Sequence, residues 1–351
     1  MIVKNSPITE GLEAFDIVNL LSCQSKHKYV LLDIETTGFT PKNSQLYMIG
    51  CIHFSENSWI QTQWLAETFD EEWKILQEFL THFQGNFHFI TYNGDRFDLP
   101  YLTDKKSQCQ CIKALPWQSS LDLYKLLKPY KKMLNFSHMK QRDLENFLGF
   151  NRKYDVSGKE CVTIYQRFLR ENQPEQAEIL LNHNRQDLLG LLKILSMLTY
   201  TLPSAGDFQI EDLSTDQQSF KAVLRLPHKL PKSFSWEDEL FHLQGDKEML
   251  AFKTPLSQGR LKKFYPNYSD YFYLPGEDMA VHKSLATYID RSKKKKATAR
   301  TCYTWFDCNL NFLNDIPTVK DWLTDYFRPG MRIFSGTPSP ANDFESSHIK
   351  R

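Results

Sequence analysis

Four acidic residues in three separated stretches constrain the fold of this chain most. The stretches are LLDIETTGF, TYNGDRFDLPYL and HNRQDLLGL, and the residues, here called the acid quartet, are Asp33, Glu35, Asp98 and Asp187. Residues two apart on a strand point to the same face, so Asp33 and Glu35 project together from the end of an apolar strand. Carboxylate oxygens suit hard cations, and two cations about 3.5–4 Å apart can bracket a phosphate. The quartet therefore predicts a site for two divalent cations, Mg²⁺ or Mn²⁺.

Each acid taken alone has a simpler explanation. Acidic residues near turns are common, so Asp33 and Glu35 by themselves indicate only a solvated strand end. Their order with the other two acids favours the metal site, because clustered acids mark metal or catalytic centres. Asp122 follows a predicted strand, and we expect it to support the fold or the metal ligands, with direct metal binding as the less favoured alternative.

A histidine accompanies the last acid. His183 stands four residues before Asp187, one helical turn away on the same face. A neutral imidazole, with a reference pKa near 6.5, can accept a proton from a water molecule at neutral pH. Two metals and one base satisfy phosphoryl transfer, which asks mainly for positioning and charge neutralisation. The alternative for His183 is a polar residue on the face of an amphipathic helix.

Two predicted turns beside the acids carry groups suited to a nucleic-acid substrate. Thr36, Thr37 and Gly38 follow the acid-bearing strand, where backbone amides and hydroxyls can hold a terminal nucleotide. Tyr92 can stack on a base and Asn93 can donate hydrogen bonds to it. Turn chemistry explains both segments equally well, with Gly38 at positive φ in the first of them.

Apolar periodicity predicts an α/β fold in the first two hundred residues. Short apolar runs indicate strands, and apolar residues at helical spacing indicate helices. The predicted strands are 29–34, 45–54, 58–65 and 86–91. The predicted helices are 70–83, 121–127, 139–148, 158–170 and 174–200. Three strands, a helix and a strand in this order are the opening of an RNase-H-like mixed β-sheet flanked by helices.

Longer stretches of sequence carry a family resemblance. DIETTG, NGxxFD and HNxxD, in this order, resemble the three exonuclease motifs of the DEDD superfamily of 3′-to-5′ exonucleases. The stretches SLDLYKLLKPY, LGFNRKYDVSGKECVTIYQRFLR and LNHNRQDLLGLLKIL resemble the YprB-type RNase-H-like exonuclease domain family. The resemblance covers about residues 28–200. It implies an RNase-H-like fold, two-metal hydrolysis of a phosphodiester bond, and the acid quartet as metal ligands.

The third motif departs from the wider superfamily at one position. There the motif carries either a histidine five residues before its aspartate or a tyrosine four residues before it. In this chain His183 stands at the tyrosine spacing from Asp187, a pattern that suits the YprB-type family. Both the role of general base and the role of orienting a water molecule remain open for His183.

The chain is long enough for one large domain and a smaller one, with 351 residues and 41% hydrophobic content. Small and polar residues after position 200 indicate a linker. The predicted parts are an N-terminal extension (1–27), the RNase-H-like exonuclease domain (28–200), a linker (201–218), a smaller α+β accessory region that binds nucleic acid or a partner (219–336) and a flexible tail (337–351).

The net charge of +1, from 43 basic and 42 acidic residues, restricts any nucleic-acid contact to local basic patches. In the C-terminal region the segment RLKKFYPNYSDYFY interleaves lysines with aromatic residues, and we favour nucleic-acid contact there over the alternative of an aromatic core edge. The run Lys293 to Lys296 is instead interpreted as a solvated surface.

An odd number of cysteines, seven, in no framework spacing indicates reduced thiols. The N-terminus shows no signal peptide, and the longest apolar stretch, 188–198, is shorter than the roughly 18 residues of a membrane span. We therefore expect a cytoplasmic location, no membrane contact and a single-stranded DNA or RNA substrate, with any protein partner unknown.

These observations predict a metal-dependent exonuclease that hydrolyses single-stranded DNA or RNA from the 3′ end. The first alternative is an endonuclease of RNase H type, which would cut a closed circular strand. The second is an inactive nucleic-acid-binding adaptor, and retention of all four acids argues against it. The sequence does not choose between ribose and deoxyribose.

Overall fold

The computed structural model describes residues 1–22, 28–109, 113–153, 156–328 and 337–338. The chain divides into two compact units. The first unit comprises Met1–Leu127 and Met139–Ser196, and the second comprises Lys128–His138 and Met197–Arg351. Each unit is described by itself.

One mixed sheet forms the centre of the first unit. Its strands are β1 (Ile2–Ile8), β2 (Tyr29–Thr36), β3 (Leu46–Ser55), β4 (Ser58–Leu65), β5 (Phe87–Thr91) and β6 (Trp117–Asp122). Their order across the sheet is β1, β4, β3, β2, β5, β6. The pairs β2 with β5 and β5 with β6 are parallel, and the other pairs are antiparallel.

Helices cover the sheet. They are α1 (Ala14–Ser22), α2 (Glu72–His82), α3 (Asp98–Gln108), α4 (Leu123–Leu127), α5 (Gln141–Phe147), α6 (Gly158–Glu171) and α7 (Pro174–Ile194). Local signals fix the two longest helices. Ser157 and Glu160 form a capping box at the start of α6, which ends at Asn172 with a φ of 50°. Pro174 then occupies the first turn of α7, where its missing N–H has no consequence.

Alternating side chains of β2 separate the apolar core from the acids. Val30, Leu32 and Ile34 pack with apolar residues of α2 and α3 on one face of the sheet. On the other face, apolar residues of β3 and β4 pack with α6 and α7. Asp33 belongs to this second face, since its carboxylate contacts α7. The first unit is therefore an α/β domain with helices on both faces of a mixed sheet, as the sequence predicted.

Several elements of the first unit and its boundary differ from the prediction. Residues 1–27 are not a mere extension, because β1 pairs with β4 from Ile2 opposite Leu65 onward. Side chains of β1 alternate between exposed and half-buried, so its apolar signal is weak. No sequence range was predicted for helices α1 and α3 or for strand β6, although Asp122 was expected to follow a strand. The predicted linker, 201–218, contains α8 (Leu202–Ala205) and β7 (Gln209–Thr215), and the mostly exposed side chains of this edge strand explain its polar composition.

The second unit is rich in short strands and has an aromatic core. Strand β7 is followed by β8 (Ser219–Arg225), β9 (Phe234–Glu237), β10 (His242–Asp246), β11 (Met249–Pro255), β12 (Arg260–Phe264), β13 (Tyr271–Leu274), β14 (Met279–His282), β15 (Lys295–Lys296), β16 (Tyr303–Asp307) and β17 (Thr337–Pro338). Its later helices are α9 (Lys283–Ala286), α10 (Leu310–Asn314) and α11 (Ile316–Phe327). Trp322 of α11 packs edge-on against Phe220 of β8 and Phe252 of β11.

The strands of the second unit form three sheets. The largest has the order β17, β9, β10, β11, β8, β7, while β12 pairs with β16, and β13 lies between β14 and β15. The sequence pattern also predicts a helix over 278–289. This prediction is wrong, because most of that stretch is β14 followed by the short α9. The predicted tail, 337–351, lies outside the described residues except for 337–338.

The helical stretch Pro174–Ala205 is long and apolar enough to cross a membrane by length and composition alone. It passes a length test that the apolar run 188–198 did not meet in the sequence. Of its most apolar window, 72% is buried inside the structure. One such helix is weak evidence for a membrane span, since the buried core helix of a globular domain passes the same test.

Candidate metal centre

The strand β2 presents Asp33 and Glu35 on the face of the sheet that α7 covers. The register between β2 and β3 shifts between Glu35 and Thr36, so that Glu35 lies opposite Met48 but Thr36 lies opposite Leu46. Such a bulge bends the strand and re-aims its side chains, and bulges are common beside active sites. The acid-bearing end of β2 is therefore locally distinct from the regular ladder.

Helix α7 is held against β2 by the side-chain amide of Asn184, a residue of the HNxxD motif for which the sequence predicted no role. The Nδ2 atom of Asn184 donates a 2.8 Å hydrogen bond to Oδ2 of Asp33. The Oδ1 atom of Asn184 accepts one of 2.8 Å from Nε2 of Gln63 on β4. At Gly50 on β3, an added Cβ would lie 1.9 Å from Oδ1 of Asn184. Glycine at position 50 therefore makes room for the amide that orients Asp33.

Glu35, His183 and Asp187 meet at one point. One ligand atom from each lies within 4.8 Å of the other two. The Nε2 atom of His183 is 3.2 Å from Oδ2 of Asp187 and 3.5 Å from Oε1 of Glu35. The hydroxyl of Tyr47 donates a 3.3 Å hydrogen bond to Oε2 of Glu35. The single-turn spacing of His183 and Asp187 on α7 thus brings both side chains to the carboxylate on β2.

Asp98 reaches the same end of β2 from the first residue of α3. Its Oδ1 atom accepts a 3.2 Å hydrogen bond from the backbone N–H of Ile34, the residue between the two acids of β2. Burial raises the pKa of Asp98 to about 7, although the Ile34 amide acts in the opposite direction. The buried carboxyl of Asp98 is therefore tied to the backbone of the acid-bearing strand.

Burial and mutual repulsion act on the carboxylates of β2. Burial, followed by the charges of Asp187, Glu35 and Asp98, raises the pKa of Asp33 well above its usual value. Burial and then the charge of Asp187 likewise raise the pKa of Glu35. Buried like charges are unfavourable unless a cation compensates them, and oxygen ligands with one imidazole suit Mg²⁺ or Mn²⁺. The residues present therefore fit a divalent-metal site.

The surroundings of His183 favour its neutral imidazole. Burial lowers its pKa, and the positive charge of Arg152 acts in the same direction, while the charge of Asp187 opposes both. A neutral ring leaves one nitrogen with a lone pair that accepts a proton or binds a metal.

An ion pair between Arg152 and Glu145 lies beside Asp187 and was not predicted from the sequence. The Nη2 atom of Arg152 is 2.6 Å from Oδ1 of Asp187. The same guanidinium holds both oxygens of the fully buried Glu145, with Nε 2.7 Å from Oε2 and Nη2 2.5 Å from Oε1. An added Cβ at Gly190 of α7 would lie 2.0 Å from Oε1 of Glu145, so glycine there admits the carboxylate. Arg152 lies in the quoted stretch LGFNRKYD, but nothing local marks its partners.

Gln141 completes this group of side chains. Its Nε2 atom donates hydrogen bonds of 2.8 Å to the backbone oxygen of Asp187 and 2.9 Å to Oε1 of Glu145. The first residue of α5 thereby links the buried glutamate to the backbone of α7.

The turn after β5, which contains Tyr92 and Asn93, is bonded to Asp122 at the end of β6. Asp122 accepts a 2.8 Å hydrogen bond at Oδ1 from the backbone N–H of Asn93, which has a φ of 62°. The hydroxyl of Tyr92 donates a 2.6 Å hydrogen bond to the backbone oxygen of Met139. These contacts give Asp122 a structural partner in the loop after β5 and occupy the polar end of Tyr92.

The hydroxyls of the segment after β2 bond within their own turn. Thr36 donates from Oγ1 to the backbone oxygen of Gly38 at 2.8 Å, and Oγ1 of Thr37 accepts from the N–H of Gln45 at 2.8 Å. Gly38 lies outside the positive-φ region, contrary to the turn alternative stated above. The turn is closed instead by the paired backbones of Thr37 and Gln45.

Comparison with known proteins finds similarity over the part of the chain that holds the acid quartet. The family model of the RNase H superfamily matches residues 30–199, which contain the whole acid quartet. Residues 30–199 form an RNase-H-like domain. Over 229 residues the chain is also 21% identical to the uncharacterized protein YprB of Bacillus subtilis (strain 168), covering 61% of this chain and 54% of YprB. The chain thus spans about half the length of that relative.

Solved structures give weaker similarities. The family B DNA polymerase of Pyrobaculum calidifontis aligns at 17% identity and a TM-score of 0.38, covering 50% of this chain and 26% of the polymerase. Exonuclease I of Methylocaldum szegediense aligns at 12% identity and a TM-score of 0.28, covering 56% of this chain and 54% of the exonuclease. Exonuclease I of E. coli in complex with a dA16 oligonucleotide aligns at 12% identity and a TM-score of 0.29, covering 89% of this chain and 75% of the exonuclease.

Proposed function

We propose that this protein is a metal-dependent 3′-to-5′ exonuclease of the DEDD type that hydrolyses single-stranded DNA or RNA. The observation that carries the proposal is the meeting of Glu35, His183 and Asp187 within 4.8 Å. Asp33 and Asp98 join this cluster through the end of β2. Buried carboxylates around a neutral imidazole suit hydrolysis of a phosphodiester better than binding alone, because their crowding is unfavourable without cations.

In this proposal the acid quartet holds two divalent cations, Mg²⁺ or Mn²⁺. When bound, the cations supply an activated water molecule and charge neutralisation at the leaving oxygen. Asn184 orients the Asp33 carboxylate through its 2.8 Å hydrogen bond. Arg152 holds Oδ1 of Asp187 and leaves Oδ2 directed towards His183. These outer partners hold the ligands in place before substrate arrives.

We assign to His183 the acceptance of the proton from the attacking water. Its Nε2 atom faces both Glu35 and Asp187, and its lowered pKa keeps the ring in the accepting form at neutral pH. We assign substrate contact to the two turns beside the acids, through the backbone at 36–38 and through Tyr92 and Asn93. Their own hydroxyl contacts restrict the first turn mainly to backbone N–H donation.

Degradation of 5′-labelled single-stranded DNA and RNA tests this proposal. Matched oligonucleotides are incubated with Mn²⁺, Mg²⁺ or a chelator, and the native protein is compared with Asp33→Asn and His183→Ala. We expect a ladder shortened from the 3′ end that requires metal and is lost in Asp33→Asn. The preferred oligonucleotide identifies the sugar.

Two other outcomes would replace the proposal. Cutting of a closed circular strand would show an endonuclease, since no 3′ end is present. Binding of both oligonucleotides without cleavage under any metal condition would show an adaptor.

A further inference from the structure

Positive charge is concentrated in one segment of the second unit. Residues 283–300, KSLATYIDRSKKKKATAR, contain seven basic residues and one acidic residue, whereas the whole chain has a net charge of +1. The acidic residue, Asp290, is occupied locally, because its Oδ1 atom accepts a 2.7 Å hydrogen bond from the N–H of Ser292. The local excess of positive charge is therefore not neutralised within the segment.

An ordered scaffold displays these basic side chains. Strand β15 pairs with β13, with Lys295 opposite Tyr273 and Lys296 opposite Phe272. Lys294 points inward instead: its Nζ atom donates to the backbone oxygens of Ala286 and, at 2.8 Å, Ile289. This internal anchor and the strand pairing leave Lys293, Lys295 and Lys296 exposed to solvent. The lysine run is thus a formed surface, whereas the sequence indicated only a solvated stretch.

Apolar side chains are exposed in the same segment. Leu285 of α9 is 64% exposed, and Tyr288, which lies between α9 and the lysine run, is 90% exposed. An aromatic ring left in solvent beside unpaired lysines offers a platform on which a base can stack.

The aromatic segment favoured by the sequence analysis is used inside the unit. Tyr265 and Tyr271 stack on each other, with ring centroids 5.1 Å apart. The hydroxyls of Tyr273 and Tyr303 both donate to Oδ1 of Asp278. These rings have partners within the protein, so the preference for nucleic-acid contact moves from that segment to 283–300.

Protection of a sheet edge is the simpler explanation for two of the lysines. Edge strands often carry lysine, which prevents pairing with another chain, and β15 is an edge strand. This explanation covers Lys295 and Lys296 only. Lys283 and Arg291 lie off the strand, and the exposed ring of Tyr288 works against protection. Among the described residues, no carboxylate lies within salt-bridge distance of Lys283, Arg291 or the exposed lysines of the run.

We propose that this segment binds the backbone of single-stranded nucleic acid, with Tyr288 stacking on a base. The surface, here called the lysine surface, consists of Lys283, Tyr288, Arg291, Lys293, Lys295 and Lys296. Charge complementarity argues for a polyanion, and the lone exposed ring argues for unpaired bases. One tyrosine and one leucine expose too little apolar area to anchor the chain in a membrane. The choice of a single strand rests on the proposed function, but binding itself does not require cleavage.

Salt-dependent binding tests the lysine surface. Fluorescent dT20 and rU20 are titrated by anisotropy at several salt concentrations, with chelator present, in the 351-residue chain carrying Asp33→Asn. Lys293→Gln/Lys295→Gln/Lys296→Gln is compared with a control of equal charge loss in the same unit, made at three other exposed lysines: Lys132→Gln/Lys229→Gln/Lys247→Gln. Each phosphate contact contributes about 0.7 to the slope of log K against log salt, so the triple variant should lose about 2 from the slope. The control should keep it.

Tyr288→Ala separates stacking from charge. We expect affinity to fall about 5- to 100-fold at constant salt slope, because base stacking is lost while phosphate contacts remain. If the triple variant does not fold, as judged by its thermal midpoint, Lys293→Glu alone carries the test, since Lys293 lies outside β15.

An unchanged slope and affinity in the lysine variants would overturn the inference. Unchanged oligonucleotide binding with loss of binding to phosphatidylserine vesicles would assign the surface to a membrane instead. Oligonucleotide binding that depends on the lysine surface in a protein that never cleaves would keep this inference and remove the proposed function. Cleavage by the native protein, with oligonucleotide binding of the lysine variants equal to that of the control, would keep the proposed function and overturn this inference.

Discussion

Asn184 donates a 2.8 Å hydrogen bond to the carboxylate of Asp33, 151 residues earlier in the chain. This contact joins α7 to β2 at the proposed metal site. Partners that orient metal ligands typically contribute 10- to 100-fold to metal affinity or activity. We expect Asn184→Leu to lower the cleavage rate by this factor. The Mn²⁺ concentration needed for half-maximal thermal stabilisation should rise by the same factor. Asn182→Leu on the same helix is the control, and equal losses in both variants would contradict an orienting role.

Gly50 sets how closely α7 approaches the sheet. A Cβ at this position would lie 1.9 Å from Oδ1 of Asn184, so Gly50→Ala must displace the helix or the amide. We expect the free energy of unfolding in urea to fall by about 1–3 kcal/mol, as for other overpacked cores. Gly158→Ala is the matched control, because no atom lies within 4 Å of its added Cβ. A stable Gly50→Ala variant with full activity would show that α7 tolerates the shift.

The parts of the fold that the sequence predicted are those with strong local patterns. Strands β2 and β4 and helices α6 and α7 have buried faces at regular spacing, and their observed starts agree with the predicted ones. Edge strands β1 and β7 were not predicted, because an edge strand buries few side chains and its composition resembles that of a loop.

In the candidate site, too, the residues with a local sequence pattern were predicted and the others were not. Acids with a fixed sequence order were accessible from motifs, whereas their supporting contacts depend on tertiary packing. Arg152 and Glu145 contact each other and α7 only because α5 and α7 pack together, with Gly190 making room. No spacing in the sequence encodes that meeting. Asn184 stood inside a quoted motif, yet its partner on β2 is visible only in the fold.

Arg152 compensates a fully buried carboxylate. Its guanidinium holds both oxygens of Glu145 and also contacts Asp187. Removing one partner of a buried pair costs about 3–5 kcal/mol, because the other charge is left uncompensated. We expect Arg152→Ala to lose this amount in urea unfolding, and Arg152→Ala/Glu145→Gln to recover part of it. Additive losses in the double-mutant cycle would show that the two side chains do not interact.

Crowded carboxylates should oppose folding when no metal is present. Burial and neighbouring charges raise the pKa of Asp33, so its ionised form is less favourable in the folded state than in the unfolded state. We expect Asp33→Asn to keep or raise the thermal midpoint in chelator while abolishing cleavage. Added Mn²⁺ should raise the midpoint of the native protein and have a smaller effect on the variant. A lower midpoint for Asp33→Asn in chelator would show that Asp33 stabilises the metal-free fold.

A buried histidine, His53, in contact with His82 predicts loss of stability in acid. The Nε2 atom of His53 lies 3.2 Å from Nε2 of His82 and 3.1 Å from Oγ1 of Thr62. Burial, reinforced by the charge of His82, lowers the pKa of His53 to about 4. The unfolded state, with a histidine pKa near 6.5, therefore binds a proton before the folded state does. The contribution of neutral His53 to stability is complete above pH 6.5 and is lost as the pH falls towards 4.

Urea unfolding at pH 7.5, 5.5 and 4.5 checks this prediction. The free energy of unfolding of the native protein should fall by up to about 3 kcal/mol more over this range than that of His53→Gln, which has no titrating ring at this position. The comparison between variants is needed because the raised pKa of Asp33 and Glu35 acts in the opposite direction as the pH falls. His228→Gln, in the second unit, is the control and should follow the native protein. Parallel pH profiles for the native protein and His53→Gln would mean that the folded state accommodates a charged His53, for example by turning the ring towards solvent.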